Sequence, residues 1–255
     1  MEKSYTIYTA LFGDYDTLNE LPFRSAHCRY LCFTDQAILS NSWEIIKIRC
    51  DETTPILMNR KIKMLPHKYL DKTSGSIYID ANIKVNGDLF PLFNKYLHSA
   101  LISFPKHYER HCIYDEITAC LQQGKINSAS GLSWTRYLQS QGFPRQYGLG
   151  ENNILVRYHN DSRCIALMEC WWELFKNRIQ RDQLSLMYLI WKLGINYNYM
   201  NETSRNKNKF FQYCLHRTNV NFLRKFSRYI DARKNSHFLY GLCSNIKHKI
   251  KKGVR

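Results

Sequence analysis

No apolar run in this sequence is long enough to cross a bilayer. The longest, Leu186 to Trp191, falls far short of the ~20 residues that a membrane span needs. The first residues, Met1-Glu2-Lys3-Ser4-Tyr5, lead straight into a strand-like pattern without an apolar h-region, so no secretory signal is expected. No Cys-x-x-Cys pair occurs. The nine cysteines are odd in number and scattered, with Cys120, Cys164 and Cys170 inside apolar stretches. Zinc-ligand spacing is therefore missing, and buried, reduced thiols in a cytoplasmic protein are expected rather than a disulfide framework. Internal repeats and low-complexity segments are absent as well. Acidic residues are scarce: 21 Asp plus Glu stand against 37 Lys plus Arg, for a net charge of +16.

That charge is unevenly placed. Thr203 to Arg255 holds fourteen basic residues and one acid, Asp231, or +13, which leaves about +3 for the 202 residues before it. A nucleic-acid role for the whole chain is weakened by this asymmetry, and the tail alone asks for an anionic partner: a membrane surface, a polyanionic glycan or nucleic acid. The 255 residues, 44% hydrophobic and 23% charged, suit one large domain with a short extension, not two domains with separate cores. We divide them into a catalytic-type domain over 1–202 and a basic, partly amphipathic extension over 203–255. Glu202–Lys209 reads as a polar linker, and beyond it Phe222, Leu223, Phe226 and Ile230 recur at helical spacing. With Lys247, Lys249, Lys251 and Lys252 further on, this extension suits an anionic inner leaflet.

Short β-branched and aromatic runs predict strands over Thr6–Phe12, Tyr30–Thr34, Glu44–Ile48, Ser76–Ile79, Ala100–Phe104 and Asn153–Tyr158. Helical patterns lie between and after them, over Asn59–Leu65, Asp88–Leu97, Tyr114–Gln123, Leu132–Gln141, Ala166–Ile179 and Asp182–Leu193. Alternation of this kind predicts an α/β fold with a mainly parallel sheet and helices on both faces. Ligands of such sheets bind beyond the carboxyl ends of the strands.

Polar residues gather at those ends. The first strand runs into Phe12-Gly13-Asp14-Tyr15, the second into Asp35, and the fourth into Asp80-Ala81-Asn82. Asp80 and Asn82 are hard oxygen donors two positions apart, a pattern that suits a divalent cation bridging a diphosphate, though a strand ending in an Asx turn has the same look. Arg60 and Lys63 share one face of the helix before that strand, where they suit phosphate oxygens or a solvated surface. Asp115 and Glu116 in a first helical turn are simple dipole partners, and Asp182 reads as a helix cap. His216 is a candidate late metal ligand or a structural histidine.

YTALFGDYD, YLCFTD, RKIKMLPH, YIDANI, ERHCIYDE, GLGENNILVRYHN and the WWE and RDQLSL pair follow one another in this order. Over about Tyr5 to Leu193 the combination resembles the glycosyltransferase-like domain family shared by bacterial surface-polysaccharide enzymes and plant proteins of mucilage and rhamnogalacturonan synthesis. That family is similar to GT-A glycosyltransferases, with a Rossmann-like nucleotide-sugar fold. The resemblance implies a transferase that takes a UDP-sugar donor and a glycan or lipid-linked glycan acceptor. It places Thr9, Phe12, Gly13, Asp14, Tyr15 and Asp35 at the base and ribose, with Arg60 and Lys63 at the diphosphate. It puts Asp80 and Asn82 where GT-A enzymes carry Asp-x-Asp, with Asp80 on Mn²⁺ or Mg²⁺. Asn82 departs from that pattern, which leaves a metal-bridged and a metal-free donor site both open. Asp182 and Glu151 are the implied catalytic carboxylates, and His67, Arg110, Trp172, Arg181 and Gln183 the implied acceptor contacts. The likeness to α-galacturonosyl-type plant enzymes favours retention of configuration over inversion.

Overall fold

The computed structural model of the chain describes residues 4–14, 16–52, 54–214, 230 and 238–253, with the backbone alone at 247–253. Seven strands form one sheet: β1 (Tyr5–Leu11), β2 (Cys28–Thr34), β3 (Glu44–Lys47), β4 (Gly75–Ile79), β6 (Ile102–Pro105), β7 (Ile154–Arg157) and β8 (Tyr197–Met200). Their order is β3-β2-β1-β4-β7-β6-β8. All neighbours run parallel except around β7, which is antiparallel to both β4 and β6. Two short strands, β5 (Ile83–Val85) and β9 (Phe211–Tyr213), pair antiparallel beside it. The described helices are α1 (Pro55–Met64), α2 (Phe90–Tyr96), α3 (Ile113–Gln122), α4 (Ser128–Ser140), α5 (Ser162–Asn177), α6 (Leu186–Leu193) and α7 (Phe238–Gly253).

Successive strand residues point to opposite faces, and in β1 and β4 both faces are buried. Tyr8, Tyr78 and Leu155 enter one core with Met58 and Ile62 of α1, Trp134 of α4 and Trp171 of α5. Ile7, Ile77 and Val156 enter the other, with Leu92, Phe93 and Tyr96 of α2. The expected α/β class, mainly parallel with helices on both faces, is what the chain forms. All nine cysteines are free thiols. No helix among the described residues is long and apolar enough to cross a membrane.

The six expected strands all form, with ends shifted by a residue or two. β5, β8 and β9 were missed, being stretches of only three or four residues interrupted by polar side chains. Helix α1 starts earlier than the apolar pattern suggested, because Thr54 Oγ1 accepts from Leu57 N at 3.2 Å and Pro55 takes the first turn. The expected helix over Asp182–Leu193 is broken into a 3-10 turn, Asp182–Leu184, followed by α6. Asp182 causes the break. Its side chain takes Gln183 N at 3.0 Å and its carbonyl takes the Trp171 indole and the Asn152 amide, so tertiary partners replace helical ones.

Glu202–Lys209, expected as a linker, is tied down. Glu202 accepts from Lys95 at 2.6 Å and from Tyr96 OH, while Asn208 bonds Thr203 O, Phe210 N and Phe211 N. The helical pattern at Phe222, Leu223 and Phe226 lies outside the described residues, as do Tyr15 and His216.

The carboxyl ends of six of the sheet's strands and the start of β7 thus share one edge. Ile77, fully buried between β1 and β7, should be among the costliest positions to truncate. Ile77→Ala is expected to lower unfolding free energy by about 2–5 kcal/mol, whereas truncating the exposed Leu39 should change it by less than about 0.5 kcal/mol. Urea denaturation with an unchanged m-value checks both.

Candidate functional site

The edge is built first from turns. The turn after β1 holds Gly13, whose φ of 63° is left-handed. A Cβ there would lie 3.1 Å from the Pro55 ring, so glycine serves both the turn and the close approach to α1. Asp35, at the exit of β2, accepts the Gly13 N–H at 3.1 Å, and Gln36 donates to the Gly13 carbonyl. Asn59 of α1 donates to Ala10 O at 2.6 Å. Thr9 and Phe12 are buried beside this turn and Asp14 is exposed on it.

At the exit of β4, Asp80 meets α1. Lys63, fully buried on that helix, places Nζ 2.7 Å from Asp182 Oδ2, 3.5 Å from Asp80 Oδ1 and 5.2 Å from the centre of the Tyr78 ring. Arg60 Nε lies 3.6 Å from Asp182 Oδ2. Burial alone would raise the Asp182 carboxyl, but Lys63, then Arg60 and Arg181, hold it well below the usual carboxylate range. Asp182 is thus held as an anion at neutral pH inside the protein.

Glu151 closes the other side. It precedes β7 in the turn Gly150-Glu151-Asn152-Asn153, where Asn152 sits at a left-handed φ of 60°. A Cβ on Gly150 would come within 2.4 Å of Asn152 Oδ1 and 2.7 Å of the Phe104 ring, so only glycine fits. Glu151 is buried and pairs with Arg205, whose guanidinium carbon lies 4.0 Å from the centre of the Tyr108 ring and 4.7 Å from that of Tyr213. Burial raises the Glu151 carboxyl most, Arg205 pulls it down and Asp80 raises it again, and the balance lies above its ordinary value. Gln183 donates to Glu151 O at 3.2 Å and accepts from Arg181 at 2.7 Å.

The edge therefore brings together Thr9, Phe12, Gly13, Asp35, Arg60, Lys63, Asp80, Asn82, Glu151, Arg181, Asp182 and Gln183, drawn from widely separated segments. His67 instead faces Glu169 of α5 at 3.4 Å. Trp172 is buried in the core, stacked on Phe175 at 6.3 Å. Arg110 spends its guanidinium on Glu116 and Glu109, bracing the turn after β6. In that turn His107 Nδ1 accepts the N–H groups of Glu109 and Arg110, which keeps this nitrogen unprotonated. Burial, with help from Arg110, lowers the ring's pKa to about 3. Sequence reasoning missed Arg205, His107 and Tyr108. Arg205 lies in a polar stretch 54 residues from Glu151, and no spacing connects the two.

Several buried polar atoms here have no hydrogen-bond partner: Thr9 Oγ1, Glu151 Oε2, Asn152 Oδ1, Asn153 Oδ1 and Arg181 Nε. Each such atom costs about 1–3 kcal/mol, a cost that a polar ligand at this edge would relieve; others lie elsewhere, at Ser76, Arg157 and His159 among them. By contrast, a cavity of about 450 Å³ at the opposite edge, lined by Thr73, His98, Asn160 and Asn196 among others, has none of these atoms in its walls. The described residues contain no group of three or more His, Cys, Asp or Glu arranged for a metal, and Lys63 Nζ lies 3.5 Å from Asp80 Oδ1. Asn82 donates its amide to Cys214 O at 3.2 Å.

A family model described as TOD1/MUCI70, glycosyltransferase-like domain, matches residues 11–224. No curated protein matches significantly. Among solved structures, the glycosyltransferase GlyE of Streptococcus pneumoniae TIGR4 is 12% identical with a TM-score of 0.43, over 79% of this chain and 46% of that one. The chain thus spans about half the length of that protein. Mouse xyloside xylosyltransferase 1 is 11% identical with a TM-score of 0.44, over 81% and 87% of the two chains. The galactosyltransferase LgtC, solved with donor and acceptor sugar analogues, is 14% identical with a TM-score of 0.42, over 79% and 74%.

Lys63→Met leaves Asp182 buried with one counter-ion fewer and is expected to cost about 3–5 kcal/mol, read by urea denaturation at neutral pH. Because the folded state depresses the Asp182 pKa, its stabilising share is full above the unfolded value of about 4 and is lost as pH falls below it. Asp182→Asn should therefore flatten the acid limb of the stability profile, which denaturation at a series of pH values measures.

Proposed function

Because the chain belongs to the TOD1/MUCI70 glycosyltransferase-like family, we propose that it transfers a sugar from a nucleotide-diphosphate donor, a UDP-sugar, to a cell-surface polysaccharide or lipopolysaccharide-type acceptor. The observation that carries this reading is the convergence of Asp80, Lys63, Arg60, Asp182 and Glu151 around unpartnered buried polar atoms at the ligand-binding edge of the sheet. Thr9, Phe12, Gly13 and Asp14 line the base and ribose side, with Asp35 fixing their turn. The diphosphate lies between the α1 face that carries Arg60 and the exit of β4. Asp80 would hold a Mn²⁺ or Mg²⁺ ion, which would supply positive charge to the diphosphate oxygens. The acceptor enters on the Glu151 side, past Arg181 and Gln183.

In the transfer, the bond from the anomeric carbon to the diphosphate breaks and a bond to the acceptor oxygen forms. The acceptor hydroxyl proton passes to a diphosphate oxygen, and the sugar retains its configuration. Asp182, held ionised by Lys63, sets negative charge opposite the positive charge that develops on the sugar ring. Preorganisation is the advantage here, because the carboxylate needs no reorientation during the reaction. Glu151, held by Arg205, orients the acceptor.

A thermal-shift series with UDP and UDP-sugars, each with and without Mn²⁺, tests the donor site. At a hundredfold excess over Kd, the melting temperature is expected to rise by roughly 5–10 °C. Asp80→Ala should remove the shift, and Asp182→Asn should keep it while lowering kcat at least about a hundredfold. Arg205→Gln removes the charge that draws the Glu151 pKa down, so the acidic limb of kcat/KM should move to higher pH. Absence of a shift with every nucleotide and metal would overturn the donor assignment. Binding of the intact chain to RNA alone, weakening steeply with salt, would favour a polyanion-binding protein that acts through its tail.

A further inference from the structure

Helix α7 is amphipathic in the reverse of the usual sense. Phe238, Leu242 and Ile246 recur every fourth residue, and each step of four turns about 40° past a full revolution, so the three form one gently winding stripe. They are 80%, 47% and 50% exposed. Ser244, roughly half a turn from both Leu242 and Ile246, is only 1% exposed. A helix docked for its own stability buries its apolar face and shows its serine to water. Here the serine faces inward and the phenylalanine, leucine and isoleucine face out. In sequence, Ile250 continues the same spacing.

The charge around the stripe narrows what covers it. From residue 232 to 255 the chain has seven Lys or Arg and no acid, and Lys247, Lys249, Lys251 and Lys252 lie on α7 itself. A second copy would bring together two tails of +13 each. A nucleic acid would satisfy the lysines and leave the apolar stripe in water. An anionic bilayer satisfies both: acyl chains take Phe238, Leu242 and Ile246, and phosphate headgroups attract the basic sequence of the tail. We propose that α7 is an interfacial helix that seats the protein on an anionic phospholipid surface. This goes beyond the transfer reaction and does not depend on it.

Co-sedimentation of the full chain with phosphatidylcholine vesicles, with or without phosphatidylglycerol, tests the proposal. Binding is expected only to the anionic vesicles, weakening as salt rises. The triple variant Phe238→Gln/Leu242→Gln/Ile246→Gln should bind at least about tenfold more weakly, with an unchanged melting temperature and an unchanged UDP thermal shift. Those two readouts keep this test separate from that of the donor site. Three outcomes would overturn the proposal: no binding to anionic vesicles, equal binding by the triple variant, or a stripe whose removal abolishes self-association instead.

Discussion

The ion pair between Lys63 and Asp182 is the contact on which the edge of the sheet depends. Two buried charges 2.7 Å apart are poor stabilisers in net terms, since desolvation consumes most of the attraction. Their value lies in position. The Lys63 carbonyl accepts from Arg157 at 2.8 Å and from Tyr8 OH at 3.3 Å, so α1 is pinned to the middle of the sheet. The Asp182 carbonyl accepts from the Trp171 indole and the Asn152 amide. One pair therefore locks α1, α5, the turn before β7 and the 3-10 turn into one frame, with Asp80 3.5 Å from the same ammonium.

Around that frame the chain tolerates unfavourable local structure. The left-handed Asn152, the steric demand at Gly150 and the unpartnered atoms of Thr9, Glu151, Asn152, Asn153 and Arg181 all lie at the strand exits. Strain and unsatisfied groups persist only where the surrounding packing overrides them. Two well-filled cores, one on each face of the sheet, supply that packing.

The same chain uses charge in two physical regimes. At the sheet edge, charges are few, buried and paired, which makes them strong, directional and little affected by salt. In the tail they are many and unbalanced, a long-range field that salt screens within about 10 Å. The first regime suits a reaction centre and the second suits a surface. Arg205 belongs to the tail by composition yet serves the edge, where two tyrosine rings and Glu151 hold it.

Local pattern by itself determined the six main strands, the mainly parallel sheet and the polar residues at its exits, because strand burial on both faces and strand-ending turns are written in consecutive residues. Gly13, Asp35 and Asp80 were legible for that reason. The ordered motifs carried the likeness to glycosyltransferases, and the charge count isolated the tail. Only the tertiary structure decided which polar residues meet. Lys63 and Asp182 are 119 positions apart, and Arg205 and Glu151 are 54. It also turned His67, Arg110 and Trp172 toward Glu169, Glu116 and Phe175, broke the helix at Asp182 and faced the α7 stripe outward. Neighbours in sequence set conformation through sterics and local hydrogen bonds. Which distant charges share a buried site is set by how helices seat on the sheet, and no spacing along the chain encodes that distance.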